Sequence, residues 1–531
     1  MAHYLWSGWI NSRKLTILRP LNKTSSQIIM LKHVDVLIVG AGISGIGAAY
    51  HLQKNCPDHS YTILEGRENI GGTWDLFRYP GIRSDSDMYT LGYAFKPWTQ
   101  AKAIADGPAI LDYLREAVDE NDIEKNICFG QHVNQASWST EDSRWTISST
   151  GKDGETTTLT SNFLFMCSGY YDYESGHTPD FPGADDFSGD IAHPQFWNED
   201  IDYTDKNVVV IGSGATAVTL VPELAKKARH VTMLQRSPTY MVARPEEDGI
   251  ANWLRRYLPA KVAYGITRWK NVLMGMYFFR YCRKHPDRAK TLLIDGLKTE
   301  LNENYDIAQH FTPRYKPWDQ RLCLVPNGDL FKAVNLGEVE IVTDQIETFT
   351  PSGIALKSGT HLDADLIVTA TGLNMQFFGK VELSVDGKQI EAAQCMTYKG
   401  MMIQDIPNLA FSMGYTNASW TLKCDLTCEY VCRLLNKMQK NSMSQACPRL
   451  NDPTVVEEAM MDFSSGYVTR AAGKIPKQGS KAPWKLHQNY ALDLINLRYK
   501  SLEDDAMEFT NPSSASEISK PAQGSKASKA A

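Results

Sequence analysis

The sequence predicts an α/β protein with two doubly wound parallel sheets, the second inserted into the first, and a helical subdomain. Three observations lead there. Residues 36–39 and 208–211 are short apolar runs, as expected of parallel strands buried on both faces. Each runs straight into a glycine triplet: Gly40, Gly42 and Gly45 in the first case, Gly212, Gly214 and, with Ala in the last place, Ala217 in the second. Each triplet is later followed by a strand-rich stretch with turn signals, residues 145–161 and 341–362. A buried-looking strand closed by Gly169 or Gly372 then ends each copy.

A strand, a glycine triplet and a helix in that order mark a Rossmann-like dinucleotide-binding domain. Gly40 permits the tight turn, Gly42 lets the backbone approach a pyrophosphate, and Gly45 lets the helix pack on the strand. The free N–H groups at the helix start then face the phosphates. The next strand, residues 61–64, ends in Glu65, placed to accept hydrogen bonds from ribose hydroxyls. In the second copy the strand at 231–234 leads to Arg236 and Ser237 with no acid. A guanidinium there favours a ribose carrying a 2′-phosphate, which Arg grips bidentately. The first fold therefore suits an unphosphorylated ribose and the second suits NADP. Two such folds, each with a strand meander, are the plan of two-domain flavoproteins. The expected division is an FAD-binding domain at 34–180 and 366–500 around an NADP-binding domain at 181–365, with a helical insert at about 246–309.

Size and composition agree with this. At 531 residues the chain exceeds what one core supports. A formal net charge of −6 argues against a nucleic-acid binder. The ten cysteines show no paired spacing, which fits free thiols in a reducing, cytoplasmic setting rather than a disulfide scaffold. No run reads as a transmembrane helix; the longest uncharged one, residues 36–53, is broken by Gly40, Gly42, Gly45 and Gly47. Residues 1–33 carry Arg13, Lys14, Arg19, Lys23 and Lys32 but no acid. They read as an unfolded extension, with an organelle-targeting segment as the alternative. Residues 511–531, rich in Ser, Ala, Lys and Pro, are expected to be disordered.

Between the two triplets, Phe187, Gly189, His193 and Trp197 fall in the spacing F-x-G-x-x-x-H-x-x-x-W. This resembles the fingerprint of the flavin-dependent Baeyer–Villiger monooxygenases, with Asn198 a small departure from the residue usual at the next position. Residues 71–74, containing Gly72, Thr73 and Trp74, and residues 79–85 resemble the loop that contacts the flavin and places an acid, Asp85, beside it. Residues 318–321 resemble the segment supplying the active-site arginine, here Arg321. Residues 414–420 are similar to a stretch near the flavin ring in the ethionamide-activating subgroup. The likeness runs from about Asp35 to Leu497.

The resemblance implies FAD and NADPH as cofactors and O2 with a ketone or thioether as reactants. In such enzymes NADPH reduces FAD, a C4a-peroxyflavin forms, and its attack on a ketone gives an ester or lactone. Arg321 would stabilise the anionic species, with Asp85 holding the guanidinium. His193, in the connection to the second fold, suits a hinge rather than proton transfer. Two alternatives stand beside this reading: a flavin monooxygenase oxidising sulfur or nitrogen, and an NADP/FAD redox sensor without turnover.

Two weaker signals are structural. Residues 246–309 are basic and aromatic, with Trp253, Arg255, Arg256, Tyr257, Lys261, Arg268, Trp269 and Lys270. Aromatic residues at helical spacing are usually core, so a substrate-side helical subdomain is preferred over a peripheral membrane contact. Cys424, Cys428 and Cys432 share one helix face and cannot close a tetrahedral metal site, so they are read as packing residues and no metal is expected.

Overall fold

The computed structural model describes residues 32–461 and 463–512. The expectations for residues 1–31 and for the tail from 513 lie outside the described residues.

Strand β1 (His33–Val39) is buried on both faces and forms the centre of a parallel arrangement. It pairs on one side with β2 (Tyr61–Leu64), with Val36 opposite Tyr61, and on the other with β3 (Thr156–Met166), with Val36 opposite Phe163. Ile127–Cys128 extends the sheet beyond β2 and Leu409–Phe411 extends it beyond β3, both parallel. Helix α1 (Ile43–Asn55) follows the glycine turn. Antiparallel strands His132–Ser139 and Arg144–Thr150 join β3 as a meander, with Trp138 and Trp145 buried between them.

The second sheet repeats this order. Strand β4 (Asn207–Ile211) lies between β5 (His230–Gln235) and β6 (Leu366–Thr369), with Val339–Thr343 and Asp190–Ala192 outside, all parallel. Helix α2 (Ala215–Leu224) follows its glycine turn, and Ile346–Thr350, Gly353–Leu356 and His361–Asp363 form the matching meander. The whole second sheet falls in sequence between β3 and Leu409–Phe411, the parallel neighbour of β3 in the first sheet. The second fold is therefore inserted into the first. Where the chain leaves and re-enters, Tyr171–Gly176 and Leu373–Met375 pair antiparallel.

Four helices interrupt the second fold: α3 (Gly249–Tyr257), α4 (Ala260–Lys284), α5 (Pro286–Lys298) and α6 (Ile307–Phe311). Asp248 starts α3 by accepting the Ala251 N–H, and Pro286 opens α5, where a missing N–H costs nothing. The expectation that aromatic spacing here marks core is overturned for part of the stretch. Tyr264 is buried, but Trp253, Tyr257 and Trp269 are exposed. Arg268, counted among the cations of a basic stretch, is buried instead. Its guanidinium donates to the carbonyls of Tyr89 (2.9 Å) and Gly92 (2.7 Å) and lies 3.4 Å from the Asp425 carboxylate. A long helix apolar on more than one side does not disclose by periodicity which side is covered.

Helix α7 (Trp420–Lys440) packs on α1, and Cys424, Cys428 and Cys432 are buried in it. Cys424 meets the Ser44 hydroxyl at 3.4 Å, and the Cys56 thiol donates to the Cys432 carbonyl at 3.5 Å.

The glycines of the two turns differ in how closely they are packed, according to their place in the triplet. A Cβ on Gly45 would lie 1.9 Å from the Gly40 carbonyl oxygen, whereas one on Gly214 would meet nothing within 4 Å. Gly45→Ala is expected to destabilise the fold by about 1–3 kcal/mol. Gly214→Ala is expected to leave the melting temperature unchanged. Thermal unfolding of both variants checks the pair, and equal melting temperatures would contradict the packing argument.

Candidate functional site

Helix α1 begins at Gly42 with no side-chain cap and no acid in its first turn, so its leading N–H groups are open to a ligand. They face a cavity of about 560 Å³, within the usual range for a ligand site. Gly40, Gly42, Glu65, Gly72, Thr73, Trp74, Asp85 and Arg321 all line it. Residues far apart in sequence are thus brought to one wall. Gly45 lies behind the turn, where its contact with Gly40 is structural.

Glu65 sits at the end of β2, buried. Its carboxylate accepts the Ala41 N–H at 2.6 Å and the Arg67 N–H at 2.9 Å. Burial pushes its carboxyl pKa up, while these two N–H groups oppose the rise. Each oxygen keeps a second lone pair for a hydroxyl. Glu65 therefore clamps the glycine turn to the next strand and retains acceptor capacity towards the cavity.

The Gly72 loop is held from behind by Asp75. This buried carboxylate accepts from Arg67 at 2.6 Å and from Arg78 at 2.8 Å. Gly72 adopts φ 54°, ψ −117°, a conformation that a side chain would strain. Thr73 places its hydroxyl 3.4 Å from that of Tyr173, whose pKa burial pushes up to about 12.

Arg321 approaches Asp85 with Nε 3.7 Å from Oδ2. This is an ion pair rather than a hydrogen bond. Both side chains are partly exposed to the cavity, Arg321 by 38% and Asp85 by 32%. Burial works against the arginine's charge, but the Asp85 carboxylate and the neighbouring tyrosines 170, 467 and 171 raise its pKa above the ordinary value. The guanidinium is a permanent cation.

Three aromatic residues shape the same space: Tyr170 and Tyr171, unremarked in sequence, and Trp420, the last residue of the 414–420 stretch. Tyr170 stacks on Trp420, centroids 4.7 Å apart and planes 16° from parallel. The Trp420 indole N–H donates to the Ser44 hydroxyl at the start of α1, at 2.8 Å. Tyr170 and Tyr171 share a hydroxyl contact of 2.5 Å, and burial pushes the Tyr170 pKa up to about 12. Arg67 and Lys380 add positive charge to the lining. Lys380 is paired with Asp172 and Glu174 across the linker. For Tyr170 and Tyr171 the one local signal is their position just after Gly169.

The second triplet lies outside this lining, as do Arg236 and Ser237, but α2 reaches it through Ala215, Thr216 and Thr219. Helix α2 starts at Gly214, also without a side-chain cap or an acid in its first turn. Ala217 is buried against the sheet. At the end of β5, Gln235 is buried and donates to the His310 carbonyl (2.7 Å) and the Thr343 hydroxyl (2.9 Å). Arg236 and Ser237 then emerge exposed, and the Ser237 carbonyl accepts from Ser213 at 3.0 Å. Arg236 has no carboxylate partner among the described residues. The open turn, the uncapped helix and the free cation fit a second phosphorylated nucleotide.

His193 is not in the cavity wall. Its Nδ1 accepts the Gln195 N–H at 3.1 Å, its Nε2 lies 3.3 Å from the Gly372 carbonyl, and a Cβ on Gly176 would strike its ring. Burial lowers its pKa, favouring the neutral ring. It bolts the two linkers together.

Residues 102–440 match the family model described as flavin-binding monooxygenase-like, and residues 38–106 match an NAD(P)-binding Rossmann-like domain. The FAD-containing monooxygenase EthA of Mycobacterium tuberculosis is 54% identical over 481 residues, covering 90% of this chain and 98% of that protein. The probable FAD-binding monooxygenase AlmA of Acinetobacter baylyi is 47% identical, covering 90% and 97%. Among solved structures, an oxidised steroid monooxygenase bound to NADP superposes with TM-score 0.66 at 25% identity, covering 78% of this chain and 88% of that one. Cyclohexanone monooxygenase bound to ε-caprolactone shares the fold with TM-score 0.69 at 20% identity, covering 90% and 100%. With this family match across more than half its length and these relatives near 50% identity, the chain belongs to the flavin-binding monooxygenases.

Proposed function

We propose that this monooxygenase binds FAD at the first glycine turn and NADPH at the second, and uses O2 to convert ketones to esters or lactones in a Baeyer–Villiger reaction. The observation that carries this reading is the Arg321–Asp85 pair. It stands in the same cavity as the open start of α1, within reach of α2. Reduced FAD supplies the oxygen chemistry, drawing its electrons from NADPH.

The residues have separable tasks. The uncapped N–H groups of α1 bind the FAD pyrophosphate, and Glu65 accepts from the ribose hydroxyls. Gly72, Thr73 and Trp74 shape the loop beside the flavin. Gly212 and Gly214 bring the backbone up to the NADPH pyrophosphate, Ala217 packs the helix on its strand, and Arg236 with Ser237 holds the 2′-phosphate. Arg321 stabilises negative charge that develops on the substrate carbonyl oxygen when it is attacked. Asp85 orients the guanidinium without neutralising it through close hydrogen bonds, since the pair is held at 3.7 Å. The stacked Tyr170 and Trp420 exclude water from one side. The ten free cysteines agree with a cytoplasmic location, and no helix among the described residues is long and apolar enough to cross a membrane.

Oxidation of thioethers or amines is the second reading, supported by the likeness of residues 414–420 to the ethionamide-activating subgroup. It needs no cation for an oxyanion. Membership of a monooxygenase family sets the redox-sensor reading aside.

Arg321→Ala is expected to retain FAD absorbance and to lose ketone oxidation by on the order of 10²–10³. NADPH consumption with esters, sulfoxides and hydrogen peroxide quantified over a panel of ketones and thioethers checks this. Unchanged ester formation would remove Arg321 from the mechanism; sulfoxides alone from the parent enzyme would favour the second reading. Arg236→Ala is expected to raise KM for NADPH roughly 10- to 100-fold, the loss of a charged hydrogen-bonded contact, and to leave KM for NADH unchanged. Equal effects on both nucleotides would move the 2′-phosphate site elsewhere.

A further inference from the structure

Helices α3 and α4 carry an apolar stripe that nothing in the described protein covers. On α3, Ile250, Trp253 and Tyr257 recur at helical spacing, with Trp253 58% and Tyr257 70% exposed. On α4, Val262, Ile266, Trp269, Leu273 and Tyr277 recur at intervals of three and four residues, and all five are exposed. Such spacing keeps side chains on one face, and 15 residues of helix extend it for about 22 Å. The two helices pack on each other, so the stripes belong to one surface region.

The charge around it is one-sided. From residue 249 to residue 286 there are eight Lys and Arg and no Asp or Glu, in a chain whose formal net charge is −6. Arg268 is buried, and Lys270 and Arg255 are engaged with Asp248 and with backbone carbonyls. Arg256, Lys261, Arg280 and Lys284 are exposed, and no carboxylate partners them among the described residues. They stand at the two ends of the α4 stripe, Arg256 and Lys261 before Val262, and Arg280 and Lys284 after Tyr277.

We propose that this face docks the enzyme on an anionic lipid surface, lying in the headgroup region with its aromatic residues inserted and its cations on the lipid phosphates. Trp and Tyr are the side chains that favour the interface, and an apolar stripe with cations at both ends matches anionic lipid. A second copy of the chain fits less well, because a symmetric pairing would set these cationic ends against one another. The inner side of α4 gives the docking a consequence. Val272 packs with Tyr415 and Leu422, and Met276 and Ala418 pack against that cluster; Tyr415 and Ala418 line the cavity. One helix separates the docked lipid from the wall of the site, so substrates dissolved in the bilayer are presented close to it.

The test is co-sedimentation of the FAD-loaded full-length protein with vesicles of phosphatidylglycerol mixed with phosphatidylcholine, and with phosphatidylcholine alone. The parent is expected to bind the mixed vesicles, to bind neutral vesicles far more weakly, and to be released by salt. Arg256→Gln, Lys261→Gln and Arg280→Gln together are expected to weaken binding roughly 100-fold, at about fivefold per cation. Trp253→Ser, Tyr257→Ser and Tyr277→Ser together are expected to abolish it. Thermal unfolding and NADPH oxidation in solution are expected to stay unchanged in both variants, since all six side chains are exposed and outside the site. No binding by the parent, equal binding to neutral vesicles, or unchanged binding by both variants would overturn the proposal. A concentration-dependent dimer dispersed by the serine variant, without vesicle binding, would instead make the face a self-association surface and overturn it too.

Discussion

The site depends on a short antiparallel pairing, Tyr171–Gly176 with Leu373–Met375, where the chain passes out of the first fold and back into it. A single linker would let the second fold swing freely, whereas two paired linkers restrict motion to bending about their common line. Side chains reinforce the pairing. Asn374 donates to the Gly176 carbonyl at 3.1 Å, Thr371 donates to the His177 carbonyl at 2.5 Å, and His193 sits against Gly176 and Gly372. Tyr170 and Tyr171 stand at the start of one linker and Leu373 at the start of the other, all in the cavity lining. The paired linkers and the site wall are the same stretch of backbone, so a change in the angle between the folds would alter the cavity directly. This accounts for a fingerprint histidine that lies away from the chemistry.

The electrostatic design follows from that closeness. The cavity wall holds the open start of α1, the side chains of Arg67, Arg83, Arg321 and Lys380, the carboxylates of Glu65, Asp85, Asp172 and Glu174, and the first turn of α2. Cations and carboxylates in the lining balance in number, and three of the four cations are already committed. Arg67 is tied to buried Asp75, Arg83 to Asp329, and Lys380 to Asp172 and Glu174. Arg321 has only a loose partner at 3.7 Å. A guanidinium that is charged at every working pH but incompletely satisfied keeps free donors, as the proposed role of Arg321 requires. Asp85 keeps that cation in place at little cost to its strength.

Sequence disclosed what depends on near neighbours in the chain. Gly40, Gly42, Gly45 and Glu65 lie within 26 residues, and a strand, a turn and a helix constrain them locally. The matching order of the two sheets was legible for the same reason, because each strand announces itself by its own apolar run. Arg67 with Asp75 was not legible, since a buried carboxylate beside an arginine resembles any surface pair until burial is known. Tyr170 stacked on Trp420 spans 250 positions, and no local pattern predicts such a contact. Arg321 and Asp85 became a pair in sequence only through resemblance; their spacing of 236 positions carries no physical signal.

The helical insert shows the limit most clearly. Helix α4 is apolar on opposite sides, so its periodicity is compatible with either side facing inwards. The orientation is decided by a polar residue. Arg268 can be buried only where acceptors await it, and the carbonyls of Tyr89 and Gly92 and the Asp425 carboxylate are grouped at one place on the first fold, with the Tyr264 hydroxyl of α4 itself beside them. Asp425 faces His51 as well, at 3.5 Å. Once Arg268 is committed there, Tyr264 and Val272 turn inwards with it, and Trp269, Leu273 and Tyr277 turn out. A single buried cation thus sets which apolar face becomes core and which is left to meet another surface.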